Sequence, residues 1–321
     1  MNLRSGSLWF LGLVIATFGA TAAPPSIWFG AEPPVPLGSA NPKGGSVDYA
    51  EFLSSDAQWQ RAAGVISVVE INASWIEKVA TPEQLGKAIK VLGSHQIKLA
   101  LELNGLSKGP TCGGDGFASR DPLIPVRRIL AAGGTVDYVV LNEPFAWASQ
   151  VGDPASCHWT PQQVAGHLKP FLANLRKLVP GVRIGDAEPL WKETDAGDFA
   201  KWADIYAEET GSKLAFFQMD FDFTRSDWVR AALSVEREMR SRGIIFGIHY
   251  FGNRTDGSDH KWLATAFERS QAFARAGGRP DQVILQSWHP LPRHILPESE
   301  RDTFMAFVLH FAESQGINKI P

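Results

Sequence analysis

Apolar and polar positions alternate along this chain in a repeating rhythm. Eight short apolar runs recur: SIWFGAE (26–32), VISVVEINASW (65–75), IKLALELNG (97–105), VDYVVLNEP (136–144), VRIGDAEP (182–189), KLAFFQMDFDF (213–223), IIFGIHYFG (244–252) and VILQSWHP (283–290). Their length and their Val, Ile, Leu and Phe content predict strands. Between them, apolar residues return at helical spacing near 51–63, 121–132, 196–210, 227–242, 259–276 and 299–315. Two further helices announce their starts. Thr81-Pro82 with Gln84, and Thr160-Pro161 with Gln163, each form a capping box with proline at the first helical position. Eight alternating strand–helix units predict an α/β fold, a single-domain (β/α)8 TIM barrel over residues 24–321. An open doubly wound sheet fits less well. The first strand runs into GAEPPVPLGSANPKGG, which lacks the G-x-G-x-x-G spacing of a phosphate loop.

Barrels place their chemistry where the strands end, and here the strand ends are polar. In order they carry Glu32; Glu70 and Asn72; Glu102 and Asn104; Asn142 and Glu143; Asp186 and Glu188; Gln218, Asp220 and Asp222; His249 and Tyr250; and Gln286, Trp288 and His289. Burying one carboxylate in a barrel costs several kcal/mol unless it is paired or wet. So many together predict a polar pocket reached by solvent. Trp75, Trp147, Trp191, Trp228 and Trp288 fall at or just after strand ends. Indoles beside carboxylates suit sugar rings, which offer apolar faces and many hydroxyls. Trp202 and Trp262, on helices, are expected in the core.

VVLNEP resembles the fourth-strand signature of the large clan of (β/α)8 glycoside hydrolases that includes cellulases, mannanases and xylosidases. The resemblance implies that Glu143 is the general acid/base and that Asn142 positions the sugar. Trp288 matches the clan's stacking tryptophan on the eighth strand. The clan's nucleophile, a Glu ending the seventh strand, has no counterpart: that strand reads GIHYFGN. Glycoside cleavage normally uses two carboxyl groups. The second is therefore expected at Glu188 or Asp220, with Asp222 also on an inward-facing parity. Sugar contacts are expected from Glu32, Glu102, Asp222, His249 and Tyr250, and from Trp75, Trp147, Trp191 and Trp288.

Two other readings share the barrel. Glu143, Glu188, Asp220, His249 and His289 could instead hold a divalent metal. A hydrolase scaffold without its nucleophile could bind polysaccharide and not cleave it. The expectation adopted is a glycosidase acting on a polysaccharide or oligosaccharide, with no cofactor and no metal.

Composition adds compartment and partners. Arg4 precedes LWFLGLVIATFGA and then ATAAPP, the form of a signal peptide spanning 1–23 and cleaved after Ala22 or Ala23. Export as a secreted or periplasmic monomer, with no membrane attachment after cleavage, follows as an expectation. The only cysteines, Cys112 and Cys157, then predict a disulfide. Net charge is -3 and no basic block occurs, which disfavours nucleic acid.

Overall fold

The computed structural model describes residues 23–34, 45–107, 112–150, 157–191 and 194–317. Apart from Ala23, the expected signal peptide lies outside the described residues. Eight parallel strands close into one barrel: β1 (Ser26–Ala31), β2 (Ile66–Glu70), β3 (Lys98–Leu103), β4 (Tyr138–Asn142), β5 (Arg183–Leu190), β6 (Phe216–Phe221), β7 (Ile245–Tyr250) and β8 (Gln282–Ser287). Each strand pairs with its sequence neighbours, and β1 closes on β8 with Trp28 opposite Ile284. Ten α-helices are described: α1 (Tyr49–Phe52), α2 (Gln60–Val65), α3 (Ala73–Lys78), α4 (Pro82–Ser94), α5 (Ile124–Ala131), α6 (Pro161–Leu178), α7 (Ala196–Thr210), α8 (Trp228–Ser241), α9 (Asp259–Arg275) and α10 (Phe304–Ser314). Both predicted capping boxes form, with the Gln84 and Gln163 amides accepted by the Thr81 and Thr160 hydroxyls. Each such cap is worth about 1 kcal/mol.

Two predicted elements differ. The helix expected over 51–63 is two short ones, because Ser54, Ser55 and Asp56 break it with a turn. The second strand stops at Glu70 rather than running to Trp75. There the Asn72 side chain accepts from Trp75 N at 2.8 Å and starts α3.

The period-2 pleat sorts every strand into an inner and an outer face. Inside, Trp28, Val68, Ala100, Val140, Ala187, Phe216 and Ile284 pack together with Tyr138 and Ile245. Three rings fill the lower end: Trp28 lies 4.8 Å from Tyr138 and 5.3 Å from Phe216, centroid to centroid. Space for Phe216 comes from Gly185, where a Cβ would sit 2.2 Å from the ring. One pleat repeat above this layer, or two on β6 and β7, the inner positions become Glu70, Glu102, Asn142, Asp220, His249 and Gln286. The outer face packs under the helices; Trp202 and Trp262 are fully buried there.

Cys112 and Cys157 form a disulfide with Cα atoms 5.0 Å apart. It ties the loop after β3 to the loop after β4 across 45 residues of chain. On loop-closure entropy, its removal is expected to cost about 2–4 kcal/mol. Urea melts of Cys112→Ser with Cys157→Ser against the oxidised protein measure this. No helix among the described residues is long and apolar enough to cross a membrane.

Candidate active site

The polar inner positions open into a cleft of about 390 Å3 at the C-terminal ends of the strands. Its walls carry Glu32, Glu70, Glu102, Glu143 and Asp220, with Asn72, Asn104, Asn142, His249, Gln286 and Trp288. The loop after β3 adds Asp115 and Arg120 at the rim.

Glu143 follows the last residue of β4 in a left-handed conformation, φ 50°. A non-glycine residue there carries strain of about 1–3 kcal/mol, which surrounding contacts must hold. Several do. Glu143 N donates to Ala187 O at 2.9 Å, and Trp147 N donates to Glu143 O at 3.2 Å. The Trp147 indole Nε1–H donates to Glu143 Oε2 at 2.5 Å, so backbone and carboxylate are both anchored to the same tryptophan. Gly116 presses on this turn: a Cβ there would come within 3.0 Å of Asn142 O and of Pro144 Cα. Asn142 Nδ2–H donates to Asn104 Oδ1 at 3.0 Å, fixing its amide in the wall.

The acids occupy consecutive strands and act on one another. Asn72 donates to both Glu32 oxygens at 3.0 Å. Gln286 donates to Glu70 Oε1 at 3.1 Å. Burial, followed by the charges of Glu70, Glu143, Glu32 and Asp115, pushes Glu102 well above the usual carboxylate range. Burial and then the Glu143 charge raise Asp220 as well, against a lowering pull from Arg269. Burial pushes His249 down to about 3 against an opposing contact from Gln286, so its imidazole is neutral at ordinary pH.

Glu70 is pushed up to about 7, first by burial and then by Glu32, with Gln286 opposing. The folded state therefore favours the protonated acid. Its stabilising contribution is complete below 4.5 and is lost as pH rises through about 7. A shift of that size corresponds to about 3 kcal/mol. Glu70→Gln keeps the shape and removes the titration. Its unfolding free energy, from denaturant melts, is expected to fall less than the wild type's between pH 4.5 and 7, by about 3 kcal/mol. Parallel pH profiles for the two proteins would assign the loss to other groups.

Several residues expected at the site lie elsewhere. Glu188, fully buried, is on the outer face of β5, since its neighbour Ala187 faces the cleft. It accepts from Phe145 N at 2.8 Å and Ala146 N at 2.9 Å, the backbone directly behind Glu143-Pro144. Burial raises it strongly, and Asp186 adds to the effect. Asp186 in turn accepts from Trp202 Nε1–H at 2.6 Å. Tyr250 also faces outward, against Phe311 of α10. Asp222 is half-buried and closes its own turn, accepting from Thr224 N and Oγ1. Trp75 is buried in α3 with its ring edge on Tyr49. Trp147 and Trp191 meet edge to face at 5.7 Å beside Glu143, and Trp288 stands in the cleft wall against Phe251. Glu70, Asn72, Asn104 and Gln286 belong to the cleft although only their strand-end position pointed to them. The pleat parity they share with Glu102 was the signal that could have placed them.

No protein-family model matches the chain, and no curated protein sequence matches it. Solved structures do resemble it. AbfB, a family 51 α-L-arabinofuranosidase from Bifidobacterium longum, is 12% identical over 89% of this chain and 71% of its own, with a TM-score of 0.46. D-psicose 3-epimerase from Clostridium cellulolyticum H10 is 10% identical over 84% and 94%, at 0.44. An HpcH/HpaI aldolase from Desulfitobacterium hafniense is 9% identical over 93% and 94%, at 0.40.

Proposed function

We propose that this protein is an exported glycoside hydrolase that cleaves a polysaccharide or oligosaccharide, with Glu143 as its general acid. The observation that carries the reading is Glu143 itself: it follows Asn142 at the end of β4, enters the cleft from a strained turn, and lines it together with a second acid, Asp220. The charge of Glu143 raises Asp220, so the two groups are close enough to interact. Asp220 takes the second carboxylate role, and Glu188 leaves it. The resemblance to the Asn-Glu-Pro clan is part of this proposal, and so is the departure on β7, where neutral His249 stands in place of a glutamate.

The chemistry follows from these positions. Glu143 protonates the glycosidic oxygen as the bond to the anomeric carbon breaks, and Asp220 either attacks that carbon or takes a proton from the attacking water. The Trp147 indole holds the Glu143 carboxyl in one orientation throughout. Asn142, Glu102 and Gln286 offer hydrogen bonds to hydroxyls, while Trp288 presents a ring face to the sugar. The divalent-metal reading is decided by the chelator arm of the test below. The disulfide suits an oxidising compartment.

The test is product release from a panel of bacterial and plant polysaccharides, with and without a chelator. Cleavage that persists in chelator supports the proposal. Cleavage abolished by chelator, or binding with no cleavage of any glycan that binds, counts against it.

A further inference from the structure

We infer that the cleft recognises the protonated amine of an amino sugar, held between Glu70 and Glu102, and that the substrate is a cationic glycan with free amino groups. This deepens the glycosidase reading and depends on it for the sugar; the charge preference depends on the cleft alone.

The cleft is strongly unbalanced. Acids line it from β1 through β4 and again from β6, whereas its basic residues are Lys78 and Arg120 near the rim. Arg120 is already paired with Glu77 at 3.4 Å. Among the described residues no Lys or Arg pairs with Glu70 or Glu102, and neither carboxyl has a basic group among the influences on it. A second observation is independent of the acids. His249 is only 3% exposed, lines the cleft, and has neither ring nitrogen in hydrogen-bonding geometry with a protein atom, although the Gln286 amide lies near enough to act on it. Glu70, 7% exposed, likewise leaves Oε2 without a partner. Buried polar atoms without partners are destabilising, and a ligand that satisfies them removes that cost.

Charge decides what the ligand is. Crowded carboxyls make each other's ionisation costly. A neutral hydroxyl can donate to one of them but does not relieve that repulsion. An ammonium donates three hydrogen bonds and lets both acids ionise. A uronic acid would be repelled. Burial holds the His249 imidazole neutral, so it supplies no cation of its own and is free to meet a neighbouring hydroxyl. N-acetylation would remove the charge and add bulk where the carboxyls sit.

The experiment is titration calorimetry on wild type, Glu70→Gln and Glu102→Gln. The probes are glucosamine and galactosamine tetramers and their fully N-acetylated counterparts, with calcium and manganese chloride run alone. The expected result is that one free-amine tetramer binds at least about tenfold more tightly than its acetylated form, since charge-assisted hydrogen bonds are the strong ones. Both glutamine variants lose that margin, and added salt narrows it in the wild type. Equal binding of amine and acetylated forms, a margin that survives both variants, or saturable binding of either metal without any amine preference would each overturn the inference. Cleavage of a neutral glycan without amine preference sinks the inference and spares the glycosidase. An amine margin with no cleavage of the preferred tetramer or its longer polymer sinks the glycosidase and spares the cation site.

Discussion

Glu143→Gln is expected to lower polysaccharide cleavage by about a thousandfold, within the range that a general acid contributes. The amide keeps the shape and can still accept from the Trp147 indole, which donates to Glu143 Oε2 at 2.5 Å in the wild type. It cannot give up a proton to a departing oxygen. Substrate affinity and the melting temperature should therefore stay near the wild-type values while turnover collapses. An activated substrate with an acidic phenol as leaving group needs little protonation, so the variant should recover much of its bond-breaking rate on it. A variant that cleaves natural glycan at the wild-type rate would remove Glu143 from the reaction.

The second large effect is on stability. Glu188→Ala is expected to cost about 4 kcal/mol, because two buried N–H donors at Phe145 and Ala146 lose their acceptor at once. It also leaves Asp186 without its neighbouring carboxyl and opens a void next to α7. A chemical melt checks the figure. The same variant separates two roles that Glu188 could hold. A nucleophile could be replaced by added azide, which would restore turnover in the alanine variant. A residue that braces the backbone behind Glu143 cannot be replaced in that way, and azide should change nothing. Glu188→Gln, which retains one acceptor oxygen, is expected to lie between wild type and alanine in stability.

Much of this architecture was legible in the residues. The eight apolar runs correspond to eight barrel strands, and both capping boxes start their helices where Thr81 and Thr160 stand. The disulfide joins the two cysteines as expected. Facing was harder. DAEP at 186–189 looks like an echo of LNEP at 141–144, yet β5 runs on to Leu190 and turns Asp186 and Glu188 toward the helices. Motif likeness carries no information about which side of the pleat a residue occupies; register does, and register comes from the pairing of β4 with β5. Tyr250, one residue from inward-facing His249, turns outward for the same reason. Trp75 was lost to an element boundary, since Asn72 ends the extended chain and starts a helix. The environment of Glu70 is made by Glu32, 38 positions earlier, and by Gln286, 216 positions later, which no local window of sequence contains.

The ring cluster of Trp28, Tyr138 and Phe216 has a consequence for traffic through the molecule. It stoppers the far end of the barrel, so nothing passes through the core from the acid-lined chamber. Under the proposed reaction, substrate and products would both use the strand-end side of the barrel, where the loop after β3 lines the rim and is tied by the disulfide to the loop after β4. A fragment lingering there obstructs the next arrival. Catalytic throughput would then be governed by how readily that side clears as much as by how fast a bond is broken.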